Sequence, residues 1–299
     1  SYVGATAQHY GIDRHIRFST RVESIAFDSA TGRWTVTAKA QDGERRYTCS
    51  FLWMCSGYYR YSEGYTPDFP DADKFQGPII HPQRWPEDFD YSGKRVLVIG
   101  SGATAVTLIP SMTDKAAHVT MLQRSPSWYF SLPQNSSAAE ALAKVLPRSL
   151  AYRLVRWYRI VFQQIMYKMI RANPEKAGER LLNLVREQLP ADYDVEKHFR
   201  PRYNPWDQRL CVVPDGDLFR AISAGKASVE TDEILAFAEN GVRLKSGKTL
   251  EADIIITATG LSLEAMGGAR ASVDGRSVNL GDTFTYRGFA CSGVPNLAF

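Results

Sequence analysis

From residue 16 onward, apolar and polar positions alternate with a period of two, and this predicts strands. "IRFSTRVESIAFD", a "SATG" turn, "RWTVTAKA", a "QDGE" turn and "RRYTCSFLWMCSG" read as a β-meander. Its last strand, Phe51 to Cys55, is uniformly apolar, which predicts burial, and it runs into Ser56-Gly57. Residues 60–92 have no period and are rich in Pro, Gly and aromatics, the pattern of a linker crossing between domains. A βαβ unit follows: strand "KRVLVIG", a glycine turn, helix "VTLIPSMTDKA" and strand "HVTMLQ".

Residues 137–198 then read as a helical insertion. Leu150, Leu154, Trp157, Val161, Ile165 and Met169 recur at three- and four-residue steps until Pro174, with Arg153, Arg156 and Arg159 on the opposite face. Two readings fit: a packed helix with a solvated basic face, or a helix lying on a membrane surface. The packed helix is the expectation, because an apolar stripe is what any core helix needs. Residues 199–220 are irregular and broken by prolines. Strands "ASVET", "ILAFAENGVRLKSG" and the buried "ADIIITATG" close the pattern, the last ending at Gly260 as the earlier one ended at Gly57.

Composition narrows the class. The chain has 299 residues and is 44% hydrophobic, enough for real cores. A net charge of +4 is mild and gives no case for nucleic acid. Cys49, Cys55, Cys211 and Cys291 are scattered, with no C-x-x-C and no metal-ligand spacing, so they read as reduced thiols. No signal peptide and no membrane-spanning run is visible, and a cytoplasmic location is expected.

One motif carries chemistry directly. Gly100-Ser101-Gly102-Ala103-Thr104-Ala105 follows a strand and opens a helix, the context of a pyrophosphate-binding turn. Gly100 permits the tight turn, Gly102 admits the phosphates, and Ala105 lets helix and sheet pack closely. The second strand ends in Gln123-Arg124-Ser125, where an NAD site would carry an acid. A guanidinium beside a hydroxyl suits a 2′-phosphate, which favours NADPH; a plain surface role for Arg124 is the alternative.

The segment before this turn, "FQGPIIHPQRWP", places Phe75, Gly77, His81, Trp85 and Pro86 in fixed spacing. It resembles, at every defined position, the fingerprint of flavin-dependent Baeyer–Villiger monooxygenases, relatives of the flavin-containing monooxygenases. "ATG" at Ala258-Thr259-Gly260 and the looser Cys55-Ser56-Gly57 resemble that family's strand ends, where the FAD and NADPH domains exchange the chain. "YNPWDQRLCVVPDGDLFR" looks like the ethionamide-activating branch.

The resemblance implies an α/β flavoprotein with two dinucleotide-binding domains, an NADPH Rossmann domain inserted in a partial FAD domain. The expected boundaries are 1–59 for the first part of the FAD domain, 60–92 for the linker, 93–247 for the NADPH domain and 248–299 for the return. The family's own FAD turn and C-terminal segment are missing, so the chain is expected to be the middle of a longer enzyme and inactive alone.

The implied reaction uses NADPH, FAD and O2 to insert one oxygen into a ketone, or to oxidise sulfur or nitrogen, through a C4a-peroxyflavin. The small-molecule substrate and the oligomeric state stay open. The resemblance makes Arg209 the active-site cation, with a structural role as the alternative. It makes His81 an organising hinge, with simple satisfaction of linker backbone as the alternative. Gln208 stands where the family often has a lysine contacting the 2′-phosphate. Gly57, Thr259 and Gly260 are expected to serve cofactor binding. An N-hydroxylating or S-oxidising monooxygenase and a dinucleotide-binding module without turnover are the competing readings. No metal is expected.

Overall fold

The computed structural model describes residues 2–134, 142 and 144–299, so the start of the expected helical insertion, 137–141 and 143, lies outside the described residues. The chain forms two compact units, residues 1–63 with 261–299, and residues 64–260. The second takes in more chain at both ends than the expected 93–247.

The reason lies in its sheet. Five parallel strands run in the order Ala227–Thr231, His118–Gln123, Arg95–Ile99, Ile254–Thr257 and Ile79–Ile80. The central strands are apolar on both faces, as a covered parallel sheet requires; Val98, Val119, Ile255 and Ile256 are fully buried. The expected linker therefore supplies an edge strand, and the expected return supplies an inner one. Asp253 fixes this register: its carboxylate accepts from the Arg95 backbone N–H at 2.8 Å and from Arg95 Nη2 at 2.8 Å.

Helix Ala103–Met112 crosses from the central strand to the next and buries Val106, Ile109 and Met112. Trp128–Leu132 and Leu210–Pro214 form a separate parallel ribbon. "ILAFAENGVRLKSG", expected as one strand, folds back on itself: Ile234–Ala238 pairs antiparallel with Gly241–Leu244. Glu239-Asn240 makes the turn, and Gly241 opens the second strand at φ +155°, where a Cβ would strike the Leu250 carbonyl.

The long helix Arg148–Ala172 departs from expectation. Of its 25 residues only Ala151 is buried, and the stripe of Leu150, Leu154, Trp157, Val161, Ile165 and Met169 is exposed. Periodicity reported amphipathicity correctly, but it could not report whether anything covers the apolar face. The next helix, Pro174–Arg186, does bury its stripe through Gly178, Leu182 and Val185.

In the other unit, Arg21–Asp28, Arg33–Ala40 and Gly43–Cys49 form the expected meander. Arg270–Val273 joins it parallel to the first strand, and Arg276–Ser277 follows. Trp34 is fully buried, and its Nε1 donates to the Pro295 and Asn296 carbonyls at 3.1 and 3.2 Å. The expected buried strand Phe51–Cys55 shrinks to Leu52–Trp53. It pairs on one edge with Leu297–Ala298, and Phe51 and Trp53 stay exposed.

Candidate nucleotide-binding site

Strand order in the parallel sheet reverses between Arg95–Ile99 and Ile254–Thr257: the helix after the first strand leads to one side, and the last strand returns on the other. Crevices at such reversals, outside the carboxyl ends of the strands, receive ligands. Gly100 and Ala258 stand there. Gly100 has φ +133°, and any Cβ on it would collide with the Ala258 carbonyl. Only glycine meets both the backbone angle and the close approach.

Gly102 is the N-cap of helix Ala103–Met112 and brings no side chain to the first-turn N–H groups. Those donors and the positive end of the helix dipole remain for an anion. The space where a Gly102 side chain would lie borders a cation: a Cβ built there would stand 3.0 Å from Arg209 Nη1. Ala105 is fully buried, as its packing role demands. Ala103 and Thr104 are exposed on the first turn.

Ser101 is buried and turned away from the crevice, its Oγ 3.2 Å from Ser127 Oγ. Tyr129 braces the same turn by donating to the Ser101 carbonyl at 2.8 Å. Burial pushes the Tyr129 phenol well above its ordinary range, so it remains a donor at neutral pH. Neither Ser127 nor Tyr129 was singled out in the sequence. The only signal was a polar and an amphipathic residue beginning an otherwise apolar strand.

Arg209 is exposed, but its backbone is held. Tyr203 Oη donates to the Arg209 carbonyl at 3.0 Å, and Trp128 Nε1 donates to the Tyr203 carbonyl at 2.8 Å. Asp207 pairs with Arg171 in the same loop. Gln208 is exposed beside Arg209.

Gln123 does not join the site. It is 1% exposed, and its Nε2 donates to the His198 carbonyl at 2.7 Å and to Thr231 Oγ1 at 2.9 Å. It ties strand ends and cannot face a ribose. Arg124 and Ser125 are exposed just beyond it. Glu233 feels the Arg124 charge; its carboxyl is held below the usual range first by Lys245 and also by Arg124.

Phe75, Gly77, His81, Trp85 and Pro86 stitch an edge rather than line a pocket. Phe75 is buried with its ring edge-on to Phe237, and a Cβ on Gly77 would strike the Asp253 carbonyl. Trp85 packs edge-on against Phe89 and Tyr91, and the Pro86 carbonyl accepts from Phe89 N–H at 3.3 Å. His81 Nδ1 accepts from Gln83 N–H at 3.2 Å, which leaves Nε2 to donate to the Gly260 carbonyl at 2.9 Å. Gly64 lies flat against the same imidazole, where no side chain fits.

Tyr65 N–H also donates to Gly260, and Thr259 Oγ1 donates to the Tyr65 carbonyl at 2.6 Å. The Thr259 proton and the Gly260 carbonyl are thus engaged within the fold. Gly57, in the other unit, has φ +70° and an open Cβ position apart from Tyr61 Oη at 3.9 Å. Among the described residues no cluster of His, Cys, Asp or Glu could hold a metal ion.

Comparison with known proteins identifies the family. A family model described as flavin-binding monooxygenase-like matches residues 1–266. The chain is 52% identical over 299 residues to the FAD-containing monooxygenase EthA of Mycobacterium tuberculosis, covering 100% of this chain and 61% of that protein. It is 45% identical to a probable FAD-binding monooxygenase, AlmA, of Acinetobacter baylyi, over 99% of this chain and 60% of the relative.

Among solved structures it resembles an oxidised steroid monooxygenase bound to NADP. The TM-score is 0.77 at 22% identity, over 99% of this chain and 63% of that one. It also resembles an open form of cyclohexanone monooxygenase, with TM-score 0.79 at 20% identity, over 99% and 65%. These likenesses show the fold, that of flavoprotein monooxygenases with two dinucleotide-binding domains. The chain spans about three-fifths of the length of the curated relatives it matches. With the family model matching residues 1–266 and 52% identity over 299 residues to one of its members, the chain belongs to the flavin-binding monooxygenase-like family.

Proposed function

We propose that the protein containing this chain is an NADPH- and FAD-dependent monooxygenase that delivers one oxygen atom from O2 to a small ketone, and that residues 64–260 bind NADPH. The observation that carries the reading is the Gly100–Gly102 turn at the sheet reversal with the Arg209 guanidinium against it. The residues fit NADPH: Gly100 and Gly102 leave room for a pyrophosphate, the helix N-terminus offers N–H donors, and Arg209 adds a permanent charge. Arg124 and Ser125 take the 2′-phosphate. The bound nicotinamide and flavin together supply hydride and activate oxygen.

Tyr129 and Ser127 hold the turn from beneath, and Tyr203 fixes the backbone from which Arg209 reaches the anion. A fixed cation at the reacting end stabilises negative charge as it develops, without reorganisation cost. His81 keeps Gly260 and Tyr65 in register. The G-x-G-x-x-A turn at Gly100 is assigned to NADPH, and no second turn of that form is assigned to FAD among the described residues.

The Trp85-Pro86 ending of the fingerprint supports ketone oxidation. The likeness of residues 203–220 to the ethionamide-activating branch supports oxidation at sulfur as the second reading. The test uses the protein expressed from its complete gene, with NADPH, labelled O2, and a cyclic ketone or a thioether. A lactone or sulfoxide carrying one labelled atom is expected. NADPH oxidation with neither product would overturn the monooxygenase reading.

A further inference from the structure

The exposed stripe of helix Arg148–Ala172 is a second feature, separate from the nucleotide crevice. At 1.5 Å per residue the helix is about 37 Å long. Leu150, Leu154, Trp157, Val161, Ile165 and Met169 form one continuous apolar face; Trp157 is 65% exposed and Met169 58%. Isolated exposed apolar residues need no explanation, but a contiguous stripe of this length does. The C-terminal turn is docked, through Arg171 on Asp207 and the Tyr167 ring on Trp206 at 5.7 Å. The stripe itself stays open.

Charge identifies what covers it. The helix carries Arg148, Arg153, Arg156, Arg159, Lys168 and Arg171 and not one Asp or Glu. Arg153 flanks the apolar arc rather than opposing it, Lys168 lies within the arc, and Arg156 and Arg159 lie farther round, where long side chains can reach past the helix to a charged plane. Trp157 and Tyr158 are residue types that favour the boundary between hydrocarbon and water. No described helix is long and apolar enough to cross a membrane. A cationic face, an interfacial aromatic pair and an exposed apolar stripe on a helix that cannot span together define an interfacial helix.

We infer that helix Arg148–Ala172 docks the protein onto an anionic lipid surface, with the Leu150–Met169 stripe entering the headgroup region and the arginines pairing with lipid phosphates. Arg171 is paired with Asp207, but a packed protein partner would have to bury the remaining five cations with no anion from this helix to balance them. An anionic bilayer meets both the charge and the apolar face. Attachment of this kind gives the enzyme access to substrates dissolved in the membrane.

The test is vesicle flotation of the protein expressed from its complete gene and loaded with its cofactors. Vesicles of phosphatidylcholine alone are compared with vesicles containing added phosphatidylglycerol. The protein should float with the anionic vesicles, float poorly with the neutral ones, and dissociate as salt rises. Replacing Arg153, Arg156 and Arg159 by Gln should weaken partition roughly a hundredfold, at about fivefold for each cation near the surface. Removing the same charge elsewhere, with Arg21, Arg33 and Lys39 changed to Gln, should leave partition nearly unchanged.

Trp157→Glu with Val161→Glu should abolish flotation. Both positions are already exposed, so folding is unaffected by circular dichroism. Four results would overturn the inference. The first is no flotation with anionic vesicles, which would mean the stripe is covered within the whole protein. The second is equal flotation with both vesicle types. The third is equal loss in the two charge variants. The last is a Trp157→Glu and Val161→Glu variant that splits a dimer in sedimentation velocity while the parent does not float, which would make a second copy the occupant.

Discussion

The Arg209 guanidinium lies beside Gly102, and its two proposed roles, holding the nucleotide and serving the chemistry, separate experimentally. If it holds phosphate, Arg209→Ala should weaken NADP binding by about 1.5–3 kcal/mol, the range for a charged hydrogen bond. If it stabilises charge in oxygen transfer, product formation should fall by about a hundredfold more than binding does. Isothermal titration alongside product yield distinguishes these; unchanged values in both would make Arg209 structural.

Arg124→Ala should cost a similar ~1.5–3 kcal/mol for NADP and almost nothing for NAD. Equal losses for both nucleotides would place Arg124 in the folding of the strand end. Sequence made the glycine turn legible at this scale because its requirements are local: a strand before, a helix after, no side chain between. It misplaced Gln123 because a buried amide and an exposed one look alike in sequence. Only the packing of His198 and Thr231 against it decides the matter.

Single elements depend on partners distant in the chain, and this is where reading by period reached its limit. Phe75–Ile80 has no alternation to find, since only Ile79–Ile80 form the edge strand, yet Gly77 leans on the Asp253 carbonyl and cannot be enlarged. Gly77→Ala should therefore lower stability by roughly 1–3 kcal/mol, read from urea midpoints, because backbone rather than a flexible side chain must move. A neutral result would mean the edge strand can shift freely.

Asp253 gives a test by pH. The Arg95 side chain and backbone N–H hold its carboxyl below the usual range. A depressed folded pKa contributes stability that is full above the unfolded value near 4 and disappears as pH falls through the folded one. Arg95→Gln should therefore flatten the loss of stability between about pH 5 and 3, and an unchanged acid limb would show that other carboxylates dominate it.

At the scale of the whole molecule, the turn proposed to hold NADPH lies in residues 64–260 of the 299-residue chain. Produced alone, the chain should bind NADP but should not carry stoichiometric FAD through gel filtration. A flavin band co-eluting in full with the protein would show a second cradle that the turn motif does not reveal.

The topology also orders events at synthesis. Strand Arg21–Asp28 needs Arg270–Val273 beside it, and Trp34 needs the carbonyls of Pro295 and Asn296. The first strands of this unit therefore leave the ribosome long before their partners exist. Residues 64–260 contain a complete sheet of their own, and the Tyr65–Gly260 and Thr259–Tyr65 bonds bring the two ends of that insertion together. Once the insertion has folded, its closed ends shorten the effective loop from about two hundred residues to a few, and the entropy cost of pairing the outer strands falls accordingly. Nascent chains halted beyond residue 260 should show a protease-resistant core of residues 64–260 while Trp34 is still accessible to solvent. On that outcome, residues 64–260 would be the folding template for the unit that surrounds them in sequence.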